Sequence, residues 1–516
     1  MTSCLVININ LFNILNCMAH HDYLKAVLIV PRTRATRFNG KLLQLVNAHR
    51  LTLPTLAAHT PFEGVSLKVI DENVEDMLTP ETISTSADII GISAMTPEAL
   101  RAYEIGDMYR KLGIKVVLGG IHPTVLPEEA LQHADIVVRG PGGSAWTQIL
   151  DDFRRGQLKK VYDGYSMQTH MVPLQTEERQ LVTSKSVYSI ATVQTSEGCP
   201  RRCNFCSVKL LHPDFVRYDL EDVIKDIGSI EGGYLIFVDD NLWANKPYAK
   251  ELFRRMRGLG KTWISQAPIT IALDDELLSL AAQSGCRGVY IGIDSIIEES
   301  LRSANKKGID VTKIPEYIRR IQNRGIFVEA GVIFGFDNED ASVFERTLEV
   351  YDKTSVDSLN FHILTPYPST ELRRILEKEG RILHNEWDKY DTRHAVFKPV
   401  KMSPEQLQEG YEWAWKQSFS LGMIGKRVLR SGHPIYSAIF QLAGMLDHAS
   451  ILEEDGLVSR AVSRFVDKHL KEAPLTARDR NNVQLYCQEM SEPEGCGMPG
   501  SYFNEAHYNS RVWDHL

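Results

Sequence analysis

The sequence has no apolar run of membrane-spanning length, no long basic run, no internal repeat, no low-complexity tract and few cysteines for its size. Each absence removes a class of protein. A bilayer span needs about 20 consecutive apolar residues, whereas the apolar stretch from Cys4 to Met18 is shorter and repeatedly interrupted by asparagine. No Lys or Arg precedes that stretch, and a secretory signal needs a basic start followed by a small-residue cleavage site. Residues 1–21 are therefore expected to be a poorly ordered upstream extension, with Met18 as an alternative start. At a formal charge of −8 and without basic runs, no phosphate-neutralising surface is indicated, and nucleic acid is not an expected partner. Eight cysteines in 516 residues make no disulfide framework, and reduced thiols suit the cytoplasm. That length predicts about three folding units.

What is present concentrates in Ser196-Glu-Gly-Cys-Pro-Arg-Arg-Cys-Asn-Phe-Cys-Ser207. Cys199, Cys203 and Cys206 stand at C-x3-C-x2-C on a loop carrying Gly and Pro. Thiolates are the usual ligands of iron–sulfur clusters, and a cubane cluster wants four. With three on offer, one iron keeps an open position, and an open position on a metal is where chemistry occurs. The competing reading is a zinc site with His212 as fourth ligand, although paired C-x2-C knuckles are the stronger zinc pattern. With Phe205 just before the last cysteine, the segment resembles the signature of radical S-adenosylmethionine (radical SAM) enzymes. The resemblance implies a 4Fe–4S cluster whose open iron takes the amino and carboxylate groups of SAM, and cleavage of SAM to a 5′-deoxyadenosyl radical. It also implies an electron donor such as flavodoxin or ferredoxin.

Ahead of this loop, over about residues 22–160, short apolar runs alternate with helical stretches: Lys25–Pro31, Val65–Asp71, Asp88–Ser93, Lys115–Gly120 and Ala134–Val138. Such alternation predicts a doubly wound parallel sheet with helices on both faces. Ligands of such sheets bind beyond the carboxyl ends of the strands. Those ends carry Ser93 and Thr96, Gly119, Gly120 and His122, and Gly140. Small residues there let a flat ligand approach the backbone. The paired glycines and the serine resemble a cobalamin-binding domain, which implies those six residues as the cobalamin site. Two features depart from that pattern. The loop Arg32–Asn39 lacks the Asp-x-His-x-x-Gly motif, and Gly140-Pro-Gly-Gly143 stands where relatives often have Gly-Glu-x-Glu. A domain of this ancestry without a bound cofactor is the alternative.

From about 185 to 400, six strand-like runs follow, beginning at Val187, Leu235, Trp263, Gly288, Phe327 and Ser358, with helical segments between them. These predict a partial (β/α)6 barrel of TIM type, its chemistry at the C-terminal strand ends. Those ends hold Asp239 and Asp240, Gln266, Asp294 and Ser295, and Gly331 and Gly335. The family resemblance implies that these residues, with Phe205, bind SAM: the acids at its ammonium, Asp294 and Ser295 at its ribose or carboxylate, the glycines along its adenine. A lone strand-end Asp is also a common cap for the next helix, and such glycines also permit tight packing. His362 and Glu329, inside apolar strands, read equally as hydrogen-bonded interior residues or substrate contacts.

Residues 401–516 read as a helical region from Met402 to Leu470 with a polar tail, in which Cys487 and Cys496 are ordinary cysteines. Domain order, the cysteine loop, Phe237-Val-Asp-Asp-Asn241, Ser284-Gly-Cys286 and Glu386-Trp-Asp-Lys-Tyr-Asp391 together resemble cobalamin-linked radical SAM enzymes of the hopanoid methylase and bacteriochlorophyll-ring type. The resemblance implies methylation of an unactivated carbon in a small molecule. Radical cyclisation, oxidation or rearrangement without methyl transfer is the alternative, and a non-catalytic metal-binding protein the remote one.

Overall fold

The computed structural model describes residues 23–33, 46–61, 63–167, 174, 176–183 and 188–432, with 434, 437, 438 and 441. The 1–21 extension, most of the loop after the first strand, residues 442–470 of the expected helical stretch, Cys487 and Cys496 lie outside the described residues.

Seven strands occupy the first part of the chain: β1 (Leu24–Val30), β2 (Val46–Ala48), β3 (Val65–Asp71), β4 (Ile89–Ser93), β5 (Lys115–Gly119), β6 (Ile136–Arg139) and β7 (Val161–Asp163). Six of them form an all-parallel sheet in the order β3-β1-β4-β5-β6-β7. β1 and β4 are buried along nearly their whole length, as expected of parallel strands covered on both faces. One core lies on each side of the sheet. The expected five runs are all strands of this sheet; β7 adds an edge.

The second part supplies β8 (Tyr188–Val193), the short β9 (Ser196–Glu197) and β10 (Val216–Arg217), then β11 (Tyr234–Phe237), β12 (Thr262–Ala267), β13 (Cys286–Asp294), β14 (Phe327–Phe334) and β15 (Ser358–Ile363). Its parallel sheet runs β15-β14-β13-β12-β11-β8-β2. The six expected barrel strands are there in sequential order. The seventh is β2, which leaves the first unit and pairs in parallel with β8. Three residues carry too little pattern to show as a strand, so this exchange was invisible to periodicity. The seven-residue helix Thr52–Ala58 that follows was missed as well.

Strand alternation divides the barrel residues cleanly. Trp263, Val289, Ile291, Val328, Ala330 and Phe361 face the helices and are buried, with Trp263 stacked on Phe253 at 5.0 Å and edge-on to Phe237 at 5.2 Å. Gln266, Tyr290, Glu329, Asn360 and His362 alternate with them on the inner face and keep part of their surface open. The barrel therefore has an apolar outer layer and a polar lumen.

Contacts on two sides fasten the units together. Trp387, beyond the last barrel strand, joins one core of the first sheet and donates through Nε1 to Glu129 Oε1 at 2.9 Å. On the other side, Arg179 spans both carboxylate oxygens of Asp226 at 2.6 and 2.7 Å and reaches the carbonyl of Thr192 on β8 at 2.8 Å. Arg179 and Asp226 are buried, and removing one member of a buried pair strands the other charge. Arg179→Met is expected to lower unfolding stability by about 3–5 kcal/mol, read by denaturant titration; a loss below about 1 kcal/mol would show that the pair contributes no more than a surface bridge.

Candidate functional site

The cysteine loop is held from below by one carboxylate. Asp239, just past β11, is almost fully buried. It accepts from the backbone N–H of Thr195 at 3.1 Å, from Thr195 Oγ1 at 2.7 Å and from Ser196 Oγ at 2.6 Å. Burial pushes its carboxyl up to about 6 against the pull of those donors. Asp240 accepts from Gly198 N at 3.0 Å, and β9 pairs with β10 to close the base of the loop. Gly198 has φ +79°, and a Cβ there would lie 2.2 Å from the carbonyl oxygen of Asp214; only glycine fits.

The far side of the loop is sewn to the 303–305 segment. Asn204 donates through its backbone to Ala304 O at 3.2 Å and through its side chain to Ser303 O at 3.0 Å. Asn305 Nδ2 returns a bond to Arg202 O at 2.8 Å, and Phe205 packs edge-on to Phe336. Cys199, Cys203 and Cys206 are free and part-buried. Each of Cys203 and Cys206 lies within range of a neighbouring thiol's charge, and burial raises both, Cys206 to about 11.

This donor set fits a cluster better than a single ion. Among the described residues no three His, Cys, Asp or Glu side chains converge on one metal position, whereas each thiolate of a cubane takes its own iron. His212, the fourth ligand of the zinc reading, turns its Nδ1 to Glu197 Oε2 at 3.3 Å.

The remaining barrel candidates are brought to the same end of the barrel but are not equally available. Asp294 has φ +69° and is ion-paired with Lys306, whose Nζ also reaches Gly292 O at 2.7 Å. Ser295 Oγ donates to Glu339 at 2.6 Å, and Glu339 also accepts from Gly335 N at 3.0 Å and Phe336 N at 3.2 Å. Neither Asp240 nor Asp294 caps a helix. Gln266 stands open in the lumen. A Cβ on Gly331 would fall 2.1 Å from the Tyr290 hydroxyl, and one on Gly335 2.9 Å from Leu407, so both glycines give clearance to neighbouring side chains. His362 bridges Tyr290 Oη and Thr392 Oγ1, each at 3.1 Å. Sequence reasoning missed Lys306 and Glu339, which lie in loops with no periodic signal.

At the carboxyl ends of the first sheet lies a cavity of about 300 Å³. Ser93, Gly119, Gly120 and Gly140 line it, with Gly91 and Trp146 beneath and Gln194, Glu197 and His212 from the cysteine-loop side. Gly120 has φ +91°, and a Cβ on it would meet the Ala94 backbone at 2.7 Å. The Gly140-Pro-Gly-Gly143 departure has a local reason: the His59 ring lies 2.7 Å from where a Gly143 Cβ would be. His59 Nδ1 is 2.8 Å from Thr55 O. Small residues and open volume fit a cofactor with a flat, inserted part.

Two cobalamin candidates do not line this cavity. His122, fully buried, contacts Tyr103 Oη at 3.0 Å and Glu129 at 3.3 Å, and sits edge-on to Trp387. The helical turn Ile121–Val125 rotates it away from the strand ends and into the seam between the units. Thr96 begins a buried 3-10 turn and is likewise away from the cavity.

Two parallel α/β units meeting across a three-thiol loop define a cluster-bearing enzyme with an attached cofactor domain. Residues 46–150 match the B12 binding domain model and residues 193–378 the Radical SAM superfamily model. A radical SAM domain thus follows a B12-binding domain in this chain, which implies a 4Fe–4S cluster, SAM and cobalamin. The chain is 29% identical to bacteriochlorophyllide d C-12(1)-methyltransferase of Chlorobaculum tepidum, covering 80% of this chain and 90% of that one. It is 26% identical to the C-8(2)-methyltransferase of the same organism, covering 69% and 82%. Its fold is similar to that of the radical SAM methyltransferase TsrM of Kitasatospora setae, with TM-score 0.57 and 15% identity over 69% of this chain and 75% of that one.

The buried acids give the site a pH signature. Burial lifts Glu339 to about 7. A carboxyl raised on folding favours the protonated native state, so its stabilising contribution is complete below about 4.5 and is lost as pH rises through about 7. Asp239 acts in the same sense through about 6. Glu339→Gln is expected to flatten the fall in unfolding stability between pH 5 and 8 by an amount on the order of 3 kcal/mol. Parallel pH profiles for the two proteins would contradict this assignment.

Proposed function

We propose that this enzyme methylates an unactivated carbon of a small molecule, using SAM at a 4Fe–4S cluster together with cobalamin. The observation that supports this most is a shared wall: Glu197, which lies two residues before Cys199, lines the cavity formed by Gly119, Gly120 and Gly140. The two Chlorobaculum relatives are methyltransferases, which supports methyl transfer to carbon over ring formation. When bound, the cluster supplies the electron that cleaves SAM and cobalamin supplies the methyl group.

The chain's own residues divide the remaining work. Cys199, Cys203 and Cys206 hold the cluster, and Phe205 braces their loop. Asp239 positions that loop through Thr195 and Ser196 rather than touching SAM. Asp240, Gln266, Asp294 and Ser295 face the SAM side, with the Asp294–Lys306 pair holding strand end β13 in its left-handed turn. Gly331 and Gly335 give clearance. Ser93, Gly119, Gly120 and Gly140 receive cobalamin, while His122 and Thr96 support the domain seam. Tyr290, Glu329 and His362 present polar groups to substrate in the lumen. Arg202 and Lys307 are exposed beside the cysteine loop, and Arg201 lies with them; this cationic rim suits an acidic reductant such as flavodoxin or ferredoxin. Among the described residues no helix is long and apolar enough to cross a membrane. A reduced cluster loop is consistent with work in the cytoplasm.

Two variants separate the halves of this reading after anaerobic reconstitution with iron, sulfide and hydroxocobalamin. Cys203→Ala is expected to abolish the SAM-responsive cluster signal and 5′-deoxyadenosine formation while retaining cobalamin. Gly119→Val adds side-chain volume at the cavity edge, where a Cβ has only Val138 nearby, at 3.7 Å. It is expected to weaken cobalamin retention by roughly tenfold or more with the cluster intact. Wild-type turnover in Cys203→Ala would refute the cluster assignment, and SAM cleavage without transfer of a labelled methyl group would turn the reading to radical cyclisation or oxidation.

A further inference from the structure

Among the described residues two histidines line the cavity, His59 from the first unit and His212 from the cysteine-loop side. His212 is turned to Glu197 through Nδ1. His59 closes the helix Thr52–Ala58, and its Nδ1 lies 2.8 Å from Thr55 O. A carbonyl oxygen can only accept, so Nδ1 carries the proton and Nε2 keeps its lone pair. Nε2 makes no hydrogen bond among the described residues and retains accessible surface.

The ring is held so that this lone pair stays clear. A Cβ built on Gly143 would lie 2.7, 2.8 and 2.9 Å from Nε2, Cε1 and Cδ2 of His59. Those near-equal distances place Gly143 over the ring face, because an atom in line with the lone pair would be much closer to Nε2 than to the two carbons. The lone pair lies in the ring plane, so Gly143 does not cover it. Any larger residue at 143 would displace the ring. A neutral imidazole whose other N–H is fixed by a backbone carbonyl is the usual form of a metal-ligating histidine. The loop Arg32–Asn39 contains no histidine, so His59 does not duplicate a ligand from there.

We infer that His59 Nε2 is an axial ligand to the cobalt of the bound corrin, supplied from the helix after β2 rather than from the loop after β1. This rests on the cobalamin part of the proposed function. Donation of a lone pair by a neutral imidazole needs neither proton transfer nor an electron. The two axial positions of a corrin lie on opposite faces. Ligation from the first unit therefore leaves the other face to the cysteine-loop side, where the proposed methyl transfer takes place. His212 lies on that side, and a ligand there would occupy the position the methyl group needs.

The test uses full-length protein reconstituted with cobalamin of natural isotopic abundance and read by EPR in the cob(II)alamin state, whose unpaired electron points along the axial direction. An axial nitrogen splits each cobalt line, into triplets for natural nitrogen and doublets for nitrogen-15. Uniformly nitrogen-15-labelled protein is expected to give doublets; His59→Gln is expected to lose the splitting and His212→Gln to keep it. Triplets in the labelled protein would assign the ligand to the benzimidazole of the cofactor itself, and unsplit lines would exclude any axial nitrogen. Either result overturns the inference, as does splitting that survives His59→Gln. If His59→Gln releases cobalamin, natural-abundance imidazole is added to the labelled variant: retained cobalamin with triplets supports the inference, and no recovery overturns it. Labelled wild-type protein that retains no cobalamin would defeat the cobalamin reading itself, a distinct outcome.

Discussion

The site depends on one buried carboxylate. Asp239 is removed from water and answered by a backbone N–H and two hydroxyls on Thr195 and Ser196. It sits at the end of β11, and those partners lie between β8 and the first cysteine. The bond set therefore converts the register of two neighbouring barrel strands into the position of the cysteine loop. Gly198 then lets the chain turn tightly against Asp214, and Asn204 and Asn305 stitch the other side of the loop to the 303–305 segment. A loop of three thiols would otherwise be a mobile surface feature; here it is fastened on both flanks. Preorganisation of this kind is what a site needs if donors are to be held within a fraction of an ångström.

The relation between the two units follows from shared elements. β2 departs from the first unit to pair with β8, the strand that leads directly into the cysteine loop. Arg179 ties β8 to Asp226, and Trp387 closes the opposite side through Glu129 and His122. The first sheet is thus braced against the barrel at two places, and its glycine-rich strand ends come to face Glu197 and His212. That facing is the geometric basis for reading the cavity and the cysteine loop as one catalytic assembly.

Much of this was legible in the sequence. Apolar runs marked every long strand of both sheets, because buried parallel strands read as continuous hydrophobic segments. The C-x3-C-x2-C loop named its own chemistry, and four of the six cobalamin candidates line the cavity. His122 and Thr96 do not line it, because strand-end position does not specify side-chain direction: a single helical turn after Gly120 points His122 into the seam. A strand-end acid such as Asp239 looks alike in the sequence whether it serves SAM or the loop donors it meets here. Lys306 and Glu339 matter through contacts with residues 12 and 44 positions away, and no local pattern carries that information. The exchange of β2 between sheets was hidden for the opposite reason, since three residues are too few to show a period.

The central claim is that cluster and cobalamin occupy neighbouring sites across one wall, and the most direct test is magnetic. In anaerobically reconstituted protein, cob(II)alamin and the reduced 4Fe–4S cluster are both paramagnetic. The account predicts that reducing the cluster broadens and speeds relaxation of the cob(II)alamin EPR signal through dipolar coupling, and that Cys203→Ala removes the effect while cobalamin stays bound. Two signals that relax independently, with both cofactors fully loaded, would contradict the shared wall and with it the proposed chemistry.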